Sequence, residues 1–164
     1  MRRPLLCPLC KSQGRIWSLG YYARNLSRLN VGNTLRIQVR RFRCNACGKT
    51  ISVLPSFAQP YRLVQNKTIE RFFKGYTRSI DVIWWAGLLK RYQKRFAKWI
   101  PELVSVLGQS LSRSPPFAAV SEWLSVIQLK YGPLQSCTKR IVTRFRITLF
   151  GRYRCHQAGD SSLN

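Results

Sequence analysis

The chain has 164 residues, with 29 Lys and Arg against five Asp and Glu, a net charge of +24 and a pI of about 11.1. Repulsion of that size opposes any compact state unless a polyanion relieves it, so nucleic acid is the leading partner and an anionic membrane surface the second. The length allows one domain, or a small module joined to another, and leaves no room for a large core.

At the N-terminus, MRRPLLCPLC sets two arginines before an apolar run that Pro4 and Pro8 break at once, too short for the hydrophobic region of a signal peptide. No window approaches the ~18 uninterrupted apolar residues of a membrane span, and the most apolar piece, IDVIWWAGLLK, runs straight into RYQKR. These features predict a cytoplasmic protein with no membrane-embedded segment. Thiols there stay reduced, so paired cysteines point to metal before disulfide.

Residues 1–60 carry 11 Lys or Arg and no acidic residue. In TLRIQVRRF, Leu35, Ile37 and Val39 alternate with Arg36, Gln38 and Arg40, the period-two pattern of a half-buried strand. RIWSLGYYAR is a weaker partner strand, and NVGN supplies the Asn and Gly of a turn between them.

Cys7 and Cys10 form one CxxC pair and Cys44 and Cys47 another, with 33 residues between Cys10 and Cys44. Two such pairs can present four thiolates to one tetrahedral Zn²⁺, with the hairpin bringing distant pairs together. The gap exceeds the ~15–20 residues common for a Cys₄ site, which suits a ribbon of extended strands. A closed four-thiolate site is structural, since no coordination position remains for a reacting water. The alternatives are a disulfide, a redox pair or no role. Gly48-Lys49-Thr50 is not a phosphate-binding loop, because Arg43 stands where that motif needs its first glycine. Gly48 instead suits a tight turn after Cys47, with Thr50, Ile51 and Val53 as the returning strand.

Residues 61–132 change period. Ile69, Phe72, Phe73 and Tyr76 recur at helical spacing, and Ile80, Trp84, Leu88, Tyr92 and Phe96 fall four apart on one face of a longer helix that Pro101 should limit. A further helix is expected from Ser114, through Phe117, Val120, Leu124, Ile127 and Tyr131, until Gly132-Pro133. In residues 133–164, RIVTRFRITLF alternates as a basic strand over Ile141–Leu149, and HQAGDSSLN should fray. Cys137, Cys155 and His156 offer no convergent ligand spacing and are expected to be buried or incidental.

On the long helix Lys90, Arg91, Lys94, Arg95 and Lys98 lie opposite the apolar face, a cationic stripe able to follow a phosphate backbone, or else a solvated face. Arg40, Arg41 and Arg43 flank the second cysteine pair and would gather near the metal. Trp84 and Trp99 are expected to pack in the core rather than stack on bases. Metal-dependent nucleases and transposases concentrate carboxylates around their ions, and this chain offers only Glu70, Asp81, Glu102, Glu122 and Asp160, so no catalytic residue is assigned and the chain is not expected to be an enzyme.

CPLC, GYYARNL, LRIQVRRFRCNACGKT and ISVLPSFAQPY together resemble the zinc-ribbon domains at the N-termini of bacterial insertion-sequence transposases and small transposon-associated proteins. The resemblance implies zinc on Cys7, Cys10, Cys44 and Cys47 and a following helix-turn-helix segment that binds element DNA. The chain departs from that family in having Lys11 where a Gly usually follows the first pair, and in having no acidic catalytic domain after the ribbon. The expectation is an α+β protein: a small zinc β-ribbon over 1–60, a helical, helix-turn-helix-like region over 61–132, and a basic strand and tail over 133–164. Its partner would be DNA; a ribosome-associated or other RNA-binding zinc protein is the alternative.

Overall fold

The computed structural model describes residues 3–60, 62–108, 111 and 119–152. The chain order is β1 (Ile16–Ser27), β2 (Thr34–Cys44), β3 (Thr50–Val53), α1 (Asn66–Phe73), α2 (Ile80–Leu107), α3 (Val120–Tyr131), α4 (Leu134–Phe145), β4 (Ile147–Thr148) and β5 (Gly151–Arg152). Contacts divide the described chain into two compact units: residues 3–24 with 36–55, and residues 25–35 with 56–152.

The first unit holds most of a three-stranded sheet in the order β1-β2-β3. β2 and β3 are antiparallel, with Arg41 opposite Ser52, Phe42 opposite Ile51 and Arg43 opposite Thr50. Asn45 N donates to Arg15 O at 2.8 Å, so Ile16 stands opposite Cys44, Trp17 opposite Arg43 and Leu19 opposite Arg41. Continued unbroken, that register would set Tyr21 opposite Val39 and leave Arg40 on the other face. The Arg40 guanidinium instead lies 5.7 Å from the Tyr21 ring centre, one place out of step. Gly20, at φ 90°, absorbs the extra residue as a β-bulge, which is why β1 has 12 residues against 11 in β2.

Near the cysteines the two faces of the sheet differ. Ile16, Phe42, Cys44 and Ile51 are buried on one. The other carries Trp17, Leu19, Arg41 and Arg43, all exposed, with Thr50 and Ser52 half-buried.

The second unit is helical and includes the tip of the β1–β2 hairpin. Ser27 N donates to Leu63 O at 2.7 Å and Gln65 N to Ser27 Oγ at 2.9 Å. Its core joins Ile69 and Phe73 of α1, Val82, Leu89, Tyr92, Phe96 and Leu103 of α2, Leu124 and Ile127 of α3, Leu134 and Ile141 of α4, and Phe150. Phe150 lies 5.8 to 6.2 Å, ring centre to ring centre, from Phe73, Tyr92 and Phe96.

Pro101 does not limit α2, which continues to Leu107; a proline there removes one intrahelical donor, and burial of Leu103 and Leu107 beyond it outweighs that loss. The buried seam of α2 runs through Val82, Leu89, Tyr92 and Phe96, while Ile80 and Trp84 are 55% and 65% exposed. The four-residue spacing drifts around a 3.6-residue helix, so it follows the seam only from Leu88 onward. Tyr76 lies beyond α1 and is exposed.

The stretch read as a basic strand over 141–149 is mostly α4, with Leu134, Cys137 and Ile141 buried at helical spacing; only Ile147–Thr148 pairs as strand, with Gly151–Arg152. Alternation in RIVTRFRI concealed a helical stripe that begins earlier, at Leu134. α3 ends at Tyr131 before Gly132, as expected. The proposed start at Ser114, with Phe117, lies outside the described residues, as do Cys155, His156 and Asp160.

Candidate metal centre and basic surfaces

Residues 7–12 and 44–49 repeat one backbone arrangement. Cys7 N donates to Ser12 O and Cys44 N to Lys49 O, both at 3.0 Å, while Lys11 N donates to Cys7 O at 2.9 Å and Gly48 N to Cys44 O at 2.8 Å. In each turn the residue after the second cysteine has positive φ, 63° at Lys11 and 68° at Gly48. The chain thereby folds back so that both sulfurs of a pair project to the same side. Pairing of β1 with β2 then brings the two turns together, across 33 residues of sequence.

The Sγ atoms of Cys7, Cys10, Cys44 and Cys47 all lie within 4.8 Å of one another. Cys7 to Cys47 is 3.8 Å and Cys10 to Cys44 is 3.6 Å. Sulfurs held at about 2.3 Å from a tetrahedral ion are about 3.8 Å apart, whereas a disulfide bond is about 2.05 Å. The spacing therefore fits one ion enclosed by four sulfurs, and the cluster is a possible metal-binding site. Cys7 and Cys44 are buried, Cys47 is half-buried and Cys10 is exposed.

Ser12 was not singled out in the sequence, though it follows Lys11 directly. Its Oγ lies 3.1 Å from Cys10 Sγ and 3.3 Å from Cys44 Sγ. Hydrogen bonding from Ser12 holds both thiols below their ordinary range, Cys44 at about 6. Burial dominates at Cys47 and pushes its thiol up to about 12. A cation that converts all four groups to thiolates satisfies the whole set at once. Cys137, buried in the helical core, is likewise pushed up to about 12 by burial and takes no part in the cluster.

The basic residues divide between the units. Arg41 and Arg43 are exposed on the open sheet face, and the Arg41 guanidinium sits 5.7 Å from the Tyr22 ring centre. Arg40 is half-buried, its guanidinium over Tyr21 and, at 5.1 Å, Phe42, so much of its surface is already used in packing. On α2, Lys90, Arg91, Lys94, Arg95 and Lys98 are all exposed on the side away from Leu89, Tyr92 and Phe96. Arg95 Nε donates to Phe150 O at 3.0 Å. Among the described residues no carboxylate pairs with Lys90, Arg91, Lys94 or Lys98.

The four described carboxylates are engaged elsewhere. Asp81 accepts from Thr68 Oγ1 and faces Arg71, Glu70 accepts from Lys74 and Gln128, Glu102 pairs with Arg152, and Glu122 accepts from Ala119 N. Trp99 is half-buried and donates from Nε1 to Thr148 O at 3.2 Å, whereas Trp84 lies exposed against Gly32.

Residues 7–83 match the family model DUF6431, a domain of unknown function. The match begins at the first cysteine of the cluster and ends within the first turn of α2, so the cationic stripe lies beyond it. No curated protein and no solved structure matches the chain. No described helix is long and apolar enough to cross a membrane.

Proposed function

We propose that this chain is a DNA-binding protein of transposon-associated type, whose four cysteines hold a structural Zn²⁺. The observation that carries the reading is the convergence of the four sulfurs at metal-ligand spacing in a segment with no acidic residue before Glu70. Four thiolates in a tetrahedral arrangement favour zinc or iron over the hard oxygen-seeking ions. Zinc bound there would fix the two turns and the sheet between them, and it would leave no open position for a reacting water.

Cys7, Cys10, Cys44 and Cys47 would be its ligands, with Ser12 supporting two of the sulfurs. Contacts to the phosphate backbone would come from Arg41 and Arg43 and from Lys90, Arg91, Lys94 and Lys98, cations with no carboxylate partner among the described residues. Binding releases condensed counterions from the nucleic acid and lowers the repulsion of a +24 chain. α1 and α2, joined by residues 74–79, are the pair that would serve as a helix-turn-helix.

A role without catalysis is supported by the engagement of Asp81, Glu70, Glu102 and Glu122 in the fold. RNA is the competing partner, since electrostatics alone serves either polyanion. Competition between duplex DNA and structured RNA at matched salt separates them, together with metal analysis of the purified chain. A clear RNA preference overturns the DNA reading, and a metal-free, chelator-insensitive protein overturns the zinc reading.

A further inference from the structure

The open face of the three-stranded sheet has an arrangement that neither the charge nor the metal cluster requires. Across the strands run two rows, Trp17–Arg43–Thr50 and Leu19–Arg41–Ser52, set by the Arg15–Asn45 hydrogen bond and the β2–β3 register. Trp17 is 63% exposed and Leu19 49%, and both arginines are exposed.

A tryptophan and a leucine left in water on a rigid strand forgo the burial that drives folding, by area bookkeeping a real loss for a unit with so small a core. Isolated exposed apolar residues need no explanation. Here each stands directly beside an arginine, and Arg41, its guanidinium over the Tyr22 ring, continues the same face. An exposed indole and an apolar side chain, interleaved with guanidinium groups and small hydroxyl residues, match the two needs of an unpaired strand: bases that stack and phosphates that require cations. A duplex offers phosphates on its outside but keeps its base faces stacked within, so it has no use for Trp17 and Leu19.

We propose that this sheet face is a binding platform for single-stranded DNA, with a base stacked on Trp17 and the flanking phosphates on Arg41 and Arg43. The proposal rests on the reading of the chain as DNA-binding and goes further in naming an unpaired strand as the ligand of the first unit. Charge complementarity argues for this occupant: residues 1–69 contain no carboxylate to repel a phosphate. Thr50 and Ser52 supply hydroxyl groups at the edge of the same rows.

The test uses the full, zinc-loaded chain and fluorescence anisotropy at fixed moderate salt, with labelled oligo(dT), oligo(rU), an abasic strand of equal length and a duplex. The wild-type chain is expected to bind oligo(dT) roughly tenfold more tightly than the abasic strand, because only bases can stack. Trp17→Ala should remove that advantage and leave duplex affinity unchanged, and Trp17→Phe should restore most of it. Equal affinity for oligo(dT) and the abasic strand, or an unchanged Trp17→Ala variant, overturns the platform. Tighter binding of oligo(rU) than oligo(dT) overturns DNA as its occupant. If duplex binding persists in those cases, only the platform falls; if no nucleic acid binds, the wider DNA-binding reading falls with it. Zinc content of Trp17→Ala checks its fold, and should that variant lose zinc, the oligo(dT)-to-abasic ratio of the wild-type chain still decides.

Discussion

Lys11 and Gly48 hold the same place in two equivalent turns, each one residue past the second cysteine of its pair and each in the left-handed region, at φ 63° and 68°. For a residue with a Cβ that conformation costs about 1–2 kcal/mol, against roughly 0.5–1 kcal/mol for the extra freedom glycine loses on folding. The Cβ term is the larger. Lys11→Gly should therefore tighten metal binding by roughly threefold to fivefold, since the turn and the metal fold together. Gly48→Ala should weaken it by a similar factor, and a Cβ there meets nothing within 4 Å, so the cost is conformational alone. Chelator competition on the three proteins measures this, and identical affinities would contradict it.

Cys44 and Cys137 are both buried, yet only Cys44 lies in the cluster. Cys44→Ser should abolish stoichiometric metal and unfold the sheet unit. Cys137→Ser should keep the metal while costing the helical unit about 1–3 kcal/mol, because a hydroxyl replaces a thiol in an apolar core. With burial pushing it up to about 12, the Cys137 thiol should also resist alkylation at neutral pH in the native chain, even after a chelator exposes the four cluster cysteines. Peptide-level mass spectrometry after labelling, set beside metal analysis, reads both outcomes.

Ser12 gives the metal centre a defined acid sensitivity. Its hydroxyl lowers the thiol pKa of Cys10 and Cys44, so their thiolates persist to lower pH than free cysteine would allow. Metal binding requires thiolates and is lost as falling pH protonates them. Ser12→Ala removes the supporting hydrogen bonds, so the midpoint of acid-induced metal release should move to higher pH. A colorimetric metal indicator followed through an acid titration reports the shift, and movement toward lower pH would refute the role given to Ser12.

Phe150 closes the helical core from outside the helices, touching Phe73, Tyr92 and Phe96 with its ring while its carbonyl accepts from Arg95. Truncating a buried phenylalanine costs about 3–5 kcal/mol through lost transfer energy and the cavity left behind. Phe150→Ala should lower the thermal stability of the helical signal by that amount and leave the metal content intact. Parallel loss of metal would mean that the two units do not fold separately.

What the sequence disclosed follows from where its signals are local. The CxxC pairs, the turn at Gly48 and strands β2 and β3 depend on neighbours a few residues apart, and each was legible. The exposed stripe from Lys90 to Lys98 was legible too, because five cations within about two and a half helical turns fix a face without tertiary information. Ile80 and Trp84 were misplaced because a stretch apolar on two faces does not say which face finds the core. Pro101 and the segment before Phe145 were misread because burial of Leu103, Leu107, Leu134 and Ile141 decides those helices, and local preference does not reveal it. Ser12 and the open rows beginning at Trp17 and Leu19 depend on the pairing of segments far apart in sequence, set by the Arg15–Asn45 hydrogen bond, which no alternation pattern displays.

Arg91 and Lys94 lie three apart on the exposed side of α2, within one turn of Lys90 and Lys98, and no described carboxylate pairs with them. If this stripe follows a phosphate backbone, each cation that neutralises a phosphate adds about 0.9 to the slope of log affinity against log salt for duplex DNA. Arg91→Glu with Lys94→Glu should then weaken binding to every duplex sequence alike and flatten that slope by about 2, while leaving sequence preference unchanged. The same pair of changes should do little to stability, since both side chains are exposed and surface charges of this kind contribute only about 0–1 kcal/mol. Titrations at several salt concentrations measure the slope directly. A slope equal to that of the wild-type chain would return the stripe to a solvated helix face, and the phosphate contacts would then have to come from the arginines of the sheet unit.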